Sequence, residues 1–152
     1  MNITVEQIKS LRAKTGLGIH DVKRALEEAG SDEAKAMALL KDWGLSTVAK
    51  KADRATGQGL IETYVHGGGR IGAMVEVNCE TDFVARNEDF KKFVREIALQ
   101  VASMKPENVD ELLKQEYFRD PSLTIEQLLN DTIAKIGENM KINRVARFEL
   151  GE

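Results

Sequence analysis

The side chains that most often perform catalysis are few in this sequence and lie far apart. The chain has one cysteine, Cys79, and two histidines, His20 and His66. A cysteine nucleophile needs a neighbouring base, and neither histidine forms a recognisable signature with Cys79. A lone cysteine is more often a buried structural thiol. The sequence therefore predicts that the protein is not an enzyme and has no catalytic residues, no cofactor and no metal site.

A second candidate for chemistry is the triple glycine at residues 67–69. Glycine-rich loops bind phosphate through backbone N–H groups when a helix begins directly after the loop. Here the alternating pattern of residues 71–77 follows instead, and it predicts a strand. The triple glycine is therefore expected to be the turn of a β-hairpin formed by residues 60–65 and 71–77.

The stretch at residues 78–87 lies between this second strand and a long helical pattern. Strand-to-helix corners of this kind commonly present functional side chains. This corner carries an aromatic residue, Phe83, beside a carboxylate, Asp82. The pattern leaves two interpretations open. Either Phe83 returns to the core while Asp82 caps the next helix, or both are exposed and functional.

The elements that precede the corner predict a three-helix bundle in residues 1–45, followed by a charged linker at residues 46–58. The helices are expected at residues 4–16, 19–29 and 31–44, with Ser31 as the cap of the third. The predicted buried faces are Ile19, Val22, Ala25 and Leu26 in the second helix, and Ala34, Met37, Ala38 and either Leu39 or Leu40 in the third.

The remaining part, residues 59–152, predicts an α+β domain in which a small three-stranded antiparallel sheet is covered on one face by helices. The third strand is expected at residues 141–150. The other face of the sheet must then be solvated or meet a partner. Helices are expected at residues 87–104, 109–117 and 125–137, with breaks at residues 105–106 and 120–121. The long helix is expected to bury Phe90, Phe93, Val94, Ile97, Ala98 and Val101.

Composition narrows the class of partner. The 152 residues carry a net charge of −3, which argues against a protein that coats nucleic acid. No apolar run is long enough to cross a bilayer, and the first residues predict a helix rather than a signal peptide. A single cysteine suits a reducing compartment. The sequence therefore predicts a cytoplasmic protein with no direct nucleic acid partner and no membrane partner.

Residues 78–87 resemble the signature of the elongation factor Ts family, whose members are exchange factors for the translational GTPase elongation factor Tu. Further similarities lie along the whole chain, at residues 14–16, 21–26, 49–52, 136–139 and 147–149. The resemblance implies that the N-terminal bundle is a module of the ubiquitin-associated type, which docks on the GTPase domain of elongation factor Tu. It also implies an α+β core whose corner reaches the nucleotide side of that partner.

The resemblance also implies which residues act. Thr81, Asp82, Phe83 and Val84 would carry out the exchange step, with Phe83 inserted between helices of the partner. Their insertion would loosen the magnesium ion and the phosphate-binding loop, so that GDP is released. The expected contacts of the N-terminal module with the partner are Arg12, Leu17, Ile19, His20 and Lys23.

The chain departs from the family pattern in two respects. Longer members repeat a hairpin-and-helix unit and add a helical hairpin, whereas this chain has one hairpin and about twenty residues between its two main helices. We hypothesise that two chains pair as a homodimer through their open sheet faces to replace the missing part. The second departure is at Ile19 and His20, where many members carry two methionines, and His20 predicts a weaker or pH-sensitive contact.

An alternative function is an adaptor of the ubiquitin-associated type without exchange activity. Such an adaptor would need only residues 1–44, so its activity would survive deletion of the core. An exchange factor would lose all activity in that experiment.

Overall fold

The computed structural model describes residues 2–152. The chain divides into two compact units, the first ending at Lys51 and the second running from Ala52 to Glu152. Three helices are followed by a three-stranded antiparallel sheet with further helices, which confirms the predicted α+β class.

The first unit consists of α1 (Val5–Thr15), α2 (Ile19–Glu28) and α3 (Glu33–Lys51). A capping box begins α1, in which the Thr4 side chain accepts from the backbone N–H of Gln7 and the Gln7 side chain accepts from the backbone N–H of Thr4. Side chains from all three helices form one small core, which consists of Leu11, Val22, Ala25, Leu26, Ala36 and Leu40.

The third helix differs from its prediction at both ends. It does not stop at Gly44 but continues to Lys51, so the residues predicted as a linker, 46–58, include its last turns. A glycine inside a helix costs only about 1 kcal/mol, and Trp43 just before it packs against the core. The predicted cap, Ser31, is also wrong: the side chain of Asp32 accepts a hydrogen bond from the backbone N–H of Lys35 at 3.0 Å.

The buried face of α3 also differs from its prediction. Ala36 and Leu40 are buried, whereas Ala34 and Ala38 are exposed, so that part of the prediction was wrong. Met37 and Leu39 are partly buried against the same core. Helix α2 buries the predicted residues apart from Ile19, which is exposed.

The second unit contains a three-stranded sheet, a separate two-stranded hairpin and four helices. Its strands are β1 (Gln58–His66), β2 (Ile71–Cys79), β3 (Glu116–Tyr117), β4 (Asp120–Thr124) and β5 (Met140–Glu149). Its helices are α4 (Asp82–Ala85), α5 (Glu88–Met104), α6 (Val109–Lys114) and α7 (Ile125–Ile136). The sheet order is β1-β2-β5. Its three strands and their antiparallel pairing are as the sequence predicted.

Helix α5 covers the inner face of the sheet. Alternate residues of β2 point to that side and are buried, from Ala73 to Cys79. The six residues predicted for the buried face of α5 are all buried, because 17 residues are enough to repeat a helical stripe several times. The core of the second unit therefore lies between α5 and the central strand.

Residues 109–117 do not form one helix. Helix α6 ends at Lys114, and the chain then forms the β3-β4 hairpin, in which Pro121 lies on a strand rather than at a break. The buried amide of Gln100 explains the difference. Its Nε2 donates to the backbone oxygen of Glu116 at 3.0 Å, and its Oε1 accepts from the N–H of Phe118 at 2.9 Å.

The outer face of the sheet carries apolar side chains that are exposed. Ile61 and Val65 of β1, Met74 of β2 and Phe148 of β5 belong to it. The register places Val65, Gly72 and Phe148 in one row across the three strands. The sheet thus has one covered face and one open apolar face, as expected for helices on one side only.

Candidate partner-binding site

The corner is built by the end of β2 and the single turn of α4. Thr81 is the N-cap of this turn, since its hydroxyl oxygen accepts from the N–H of Val84 at 3.3 Å. Asp82 follows in the first turn and is not the cap of the long helix, whose cap is Asn87. The inward position of the turn is taken by Ala85, which is buried. Val84 is half-buried beside it, whereas Asp82 and Phe83 face out.

Phe83 is the side chain that this arrangement leaves exposed. It is 78% accessible, so the interpretation in which it returns to the core is wrong. Burying a phenylalanine stabilises a protein by roughly 1.5–3 kcal/mol, and the free chain gains little of this at Phe83. The corner therefore offers an apolar group to a partner.

An ion pair flanks the ring. Arg86 Nη2 donates to Asp82 Oδ2 at 2.6 Å, and the Arg86 guanidinium carbon lies 5.7 Å from the centroid of the Phe83 ring. Both charged side chains are mostly exposed. An exposed pair of this kind contributes about 0–1 kcal/mol, so it orients the two side chains more than it stabilises the fold.

Cys79 lies on the buried side of the same corner. Its side chain is inaccessible, and Sγ donates to the backbone oxygen of Thr81 at 3.2 Å. Burial first, and the charge of Glu138 second, raise the pKa of the Cys79 thiol to about 11. The predicted buried structural thiol is confirmed, and a neutral thiol is a poor nucleophile.

Glu138 lies far along the chain but next to the corner in space, because Met140 of β5 pairs with Cys79 of β2. It follows α7, and its Oε1 accepts from the backbone N–H groups of Glu80 at 3.1 Å and Thr81 at 3.0 Å. Its Oε2 accepts from the Thr81 hydroxyl at 2.7 Å. One carboxylate therefore binds three donors at the point where the chain leaves the sheet.

The predicted residues of the N-terminal module lie around the loop between α1 and α2. Arg12 Nε donates to the backbone oxygen of Leu17 at 3.3 Å, which joins these two residues. Ile19 is 56% exposed although a buried position was also predicted for it, and His20 is exposed as well. Lys23 lies one turn further along α2 and pairs with Glu27 at 3.8 Å. Ile19, the first residue of α2, is thus an exposed apolar residue among polar ones, whereas Leu17 of the loop is partly buried against the core.

Comparison with known proteins places these features in a family. A sequence model described as elongation factor TS matches residues 80–152. The elongation factor Ts of Carboxydothermus hydrogenoformans is 43% identical, over 99% of this chain and 90% of the relative. That of Caldanaerobacter subterraneus subsp. tengcongensis is 42% identical, over 99% of this chain and 98% of the relative.

The chain belongs to the elongation factor Ts family. It is therefore a translation elongation factor. The family match includes the whole of α4 and also Glu138, so the corner and the residue that holds it lie within the shared region. The alignment with the two elongation factor Ts relatives spans 195 positions, whereas this chain has 152 residues, so the relatives carry residues that this chain lacks.

Sequence patterns alone missed the contacts of Glu138 within the elongation factor Ts fold. Its partners lie 57 and 58 positions earlier in the chain, and the pairing of Met140 with Cys79 that brings them together depends on the register between β2 and β5, which the sequence analysis did not predict. The signal that could have pointed to it is its place in the similarity at residues 136–139. A charged residue directly after the glycine that ends α7 has no role in forming that helix.

Two other kinds of site are absent from residues 2–152. No helix there combines the length and the apolar content that a membrane span requires. No group of three or more histidine, cysteine, aspartate or glutamate side chains in that range is arranged to hold a metal ion.

Proposed function

We propose that this member of the elongation factor Ts family is a guanine nucleotide exchange factor, which binds the GDP form of elongation factor Tu and promotes GDP release. The observation that carries the proposal is the exposure of Phe83 on a turn whose backbone is fixed by hydrogen bonds. A rigid apolar projection is suited to insertion into another protein, because little entropy is lost when it is buried.

The exchange step is carried by Thr81, Asp82, Phe83 and Val84. Phe83 enters between helices of the GTPase domain, and the free energy of its burial offsets the cost of displacing the phosphate-binding loop. Asp82 lies beside the ring, and the magnesium ion loses its ligands as the loop moves. No covalent bond forms or breaks, so the protein is not an enzyme in the chemical sense and needs no cofactor.

The thermodynamics of the proposed step follow from linkage. If the factor weakens GDP binding by a given ratio, GDP weakens factor binding by the same ratio. The factor therefore expels GDP, and incoming GTP expels the factor. Such a mechanism speeds exchange and leaves the equilibrium between free nucleotides and elongation factor Tu unchanged.

The N-terminal module supplies a second contact with the GTPase domain. The exposed Ile19 is its apolar element, with Arg12, Leu17, His20 and Lys23 around it. Two contacts on one chain raise the effective concentration of the corner at its target. The module therefore contributes affinity, while the corner performs the displacement.

The measurement that tests the function is release of labelled GDP from elongation factor Tu with and without this chain. We expect the chain to accelerate release and Phe83→Ala to lower the acceleration by about tenfold or more, as for a central interface residue. Met104→Ala is a matched control, because Met104 is also an exposed apolar residue of the second unit but lies at the far end of α5. Unchanged GDP release in the presence of the chain would refute the proposal.

We further propose that two chains associate through the outer face of the sheet, as hypothesised from the missing residues. Ile61, Val65, Met74 and Phe148 are exposed apolar side chains on this face, and apolar side chains gathered on one exposed face are typical of a protein–protein interface. Sedimentation at micromolar concentration should show a dimer, and Phe148→Glu should convert it to monomer without unfolding the chain. A strictly monomeric wild-type chain with full exchange activity would contradict this pairing.

A further inference from the structure

We propose that Glu138 is the positioning residue of the exchange corner, so that its carboxylate determines whether Phe83 and Asp82 are held in the geometry that acts on the partner. This inference rests on the proposed exchange function. Glu138 does not itself need to touch the partner, because its effect passes through Thr81.

The corner needs an external support because α4 is too short to hold itself. A helix of four residues has hardly passed the unfavourable nucleation step of helix formation. The backbone N–H groups of Glu80 and Thr81 precede this helix and follow the last residue of β2. Both N–H groups donate hydrogen bonds to Glu138 Oε1, and without Glu138 they would have to bond to water. Hydrogen bonds to a charged acceptor are about twice as strong as those between neutral groups.

The second oxygen of Glu138 controls the cap of α4. The Thr81 hydroxyl donates its hydrogen to Glu138 Oε2, which leaves the oxygen lone pairs free to accept from Val84 N–H. The carboxylate therefore fixes the rotation of the hydroxyl in the orientation that caps the helix. Without Glu138 the hydroxyl could turn, and both the cap and the direction of Phe83 would lose definition.

The loop that carries Glu138 is itself fastened on both sides. Gly137 ends α7 with a φ of 87° and donates its N–H to the backbone oxygen of Ile133 at 2.8 Å. On the other side, Asn139 Nδ2 donates to the backbone oxygens of Ala52 and Arg54 at 3.3 and 2.8 Å. The backbone on both sides of Glu138 is therefore held by hydrogen bonds, and Glu138 in turn holds the corner through its own hydrogen bonds.

The test separates positioning from stability by measuring GDP release as a function of factor concentration. Glu138→Ala should lower the maximal rate at saturating factor by about tenfold, which is the size expected for losing hydrogen bonds to a charged group. The half-saturating concentration should change by less than about twofold, because the contacts of the N-terminal module remain. Hydrogen exchange of the Glu80 and Thr81 amides should become faster in the same variant.

Glu138→Gln is the conservative variant. Its amide oxygen can still accept from the two backbone N–H groups, and its NH₂ group can donate to the Thr81 hydroxyl. We therefore expect it to recover most of the maximal rate and the slow amide exchange. A role that depended only on negative charge would show no such recovery.

Glu96→Ala is the matched control for general loss of stability. Glu96 is a part-buried glutamate of the same unit that accepts from the Tyr117 hydroxyl and from Arg119, away from the corner. Its loss should lower the denaturation midpoint and leave the maximal exchange rate unchanged. If Glu96→Ala and Glu138→Ala lower the maximal rate equally, the role of Glu138 is only structural and the inference is wrong.

Two outcomes distinguish this inference from the proposed function. If Phe83→Ala lowers the maximal rate but Glu138→Ala does not, the exchange function stands and Glu138 is not its positioning residue. If the wild-type chain leaves GDP release unchanged, the exchange function fails and the positioning role fails with it. We expect a lower maximal rate of GDP release in Phe83→Ala and in Glu138→Ala, and a rate near that of the wild type in Glu138→Gln. This pattern supports both the exchange function and the positioning role of Glu138.

Discussion

Helices α4 and α5 follow each other directly, and each begins at a polar cap, yet they treat their phenylalanines in opposite ways. Phe83 of α4 is 78% exposed, whereas Phe90 of α5 is 0% exposed. The difference is one of length, since α4 has 4 residues and α5 has 17. A long helix repeats its apolar positions and packs them on a sheet, but a single turn presents its side chains individually. The protein is therefore stabilised by the phenylalanine of α5 and leaves that of α4 exposed.

The largest difference in stability is expected between two single variants, Phe90→Ala and Phe83→Ala. Phe90→Ala should destabilise the protein by about 3–5 kcal/mol, because a full cavity is left in the core. Phe83→Ala should change stability by less than about 0.5 kcal/mol, because the ring is 78% exposed and Arg86, which lies over it, is exposed as well. Urea denaturation measures the change in stability of each variant. In the GDP-release assay we expect the opposite order, with the larger loss of activity in Phe83→Ala.

The comparison between α4 and α5 would fail if Phe83→Ala were as destabilising as Phe90→Ala. The ring would then contribute to the fold of its own chain. It would also fail if Phe83→Ala left GDP release at the wild-type rate, because the exposed ring would then have no role in exchange.

The same contrast explains what the sequence could and could not predict. Repeated apolar positions predicted α5, the hairpin of β1 and β2, and β5, because several apolar residues in each of them recur on the same face. A single turn has no repeated apolar positions, so the local pattern does not decide whether Phe83 is buried or exposed. Only the resemblance to a family implied that it is exposed. The continuation of α3 beyond Gly44, the β3-β4 hairpin and the contacts of Glu138 depend on tertiary packing, which local patterns do not contain.

The buried side of the corner allows a smaller, pH-dependent test. In the unfolded chain the Cys79 thiol has its ordinary pKa of 9.0. In the folded chain burial raises this pKa to about 11, so the thiol stays neutral to a higher pH. The stability that this neutral thiol contributes is complete below pH 9 and is lost as the pH rises from 9 to 11. The loss should be roughly 2 kcal/mol.

Denaturation of the wild type and of Cys79→Ala across this pH range measures the effect of the thiol. The raised pKa of Tyr117, caused first by burial and then by its hydrogen bond with Glu96, also lowers stability at high pH in both proteins. The difference between the two profiles therefore isolates Cys79. Parallel profiles would show that the thiol is not shielded and that the corner has no buried side at this position.

A third test compares two threonine caps. Thr81 caps α4 and Thr124 caps α7, and each hydroxyl accepts from a backbone N–H at the third helical position. Thr81→Val and Thr124→Val should each cost about 1 kcal/mol, the usual value of an N-cap. Only Thr81→Val should also lower the maximal rate of GDP release, because only this hydroxyl links a helix to Glu138. Equal loss of exchange in both variants would mean that general stability, and not the corner, limits the activity.

The smallest effect should come from Arg86→Ala. The pair of Arg86 with Asp82 is exposed, so its removal should change stability by less than about 0.5 kcal/mol. Its guanidinium restrains Asp82 directly and lies near the ring of Phe83, so exchange should fall by about twofold as these side chains gain freedom. Arg86→Lys keeps the charge but not the planar donor geometry, and it should give an intermediate rate. A loss as large as that of Phe83→Ala would instead place Arg86 among the residues that contact the partner, because the restraint of two exposed side chains is too weak to account for it.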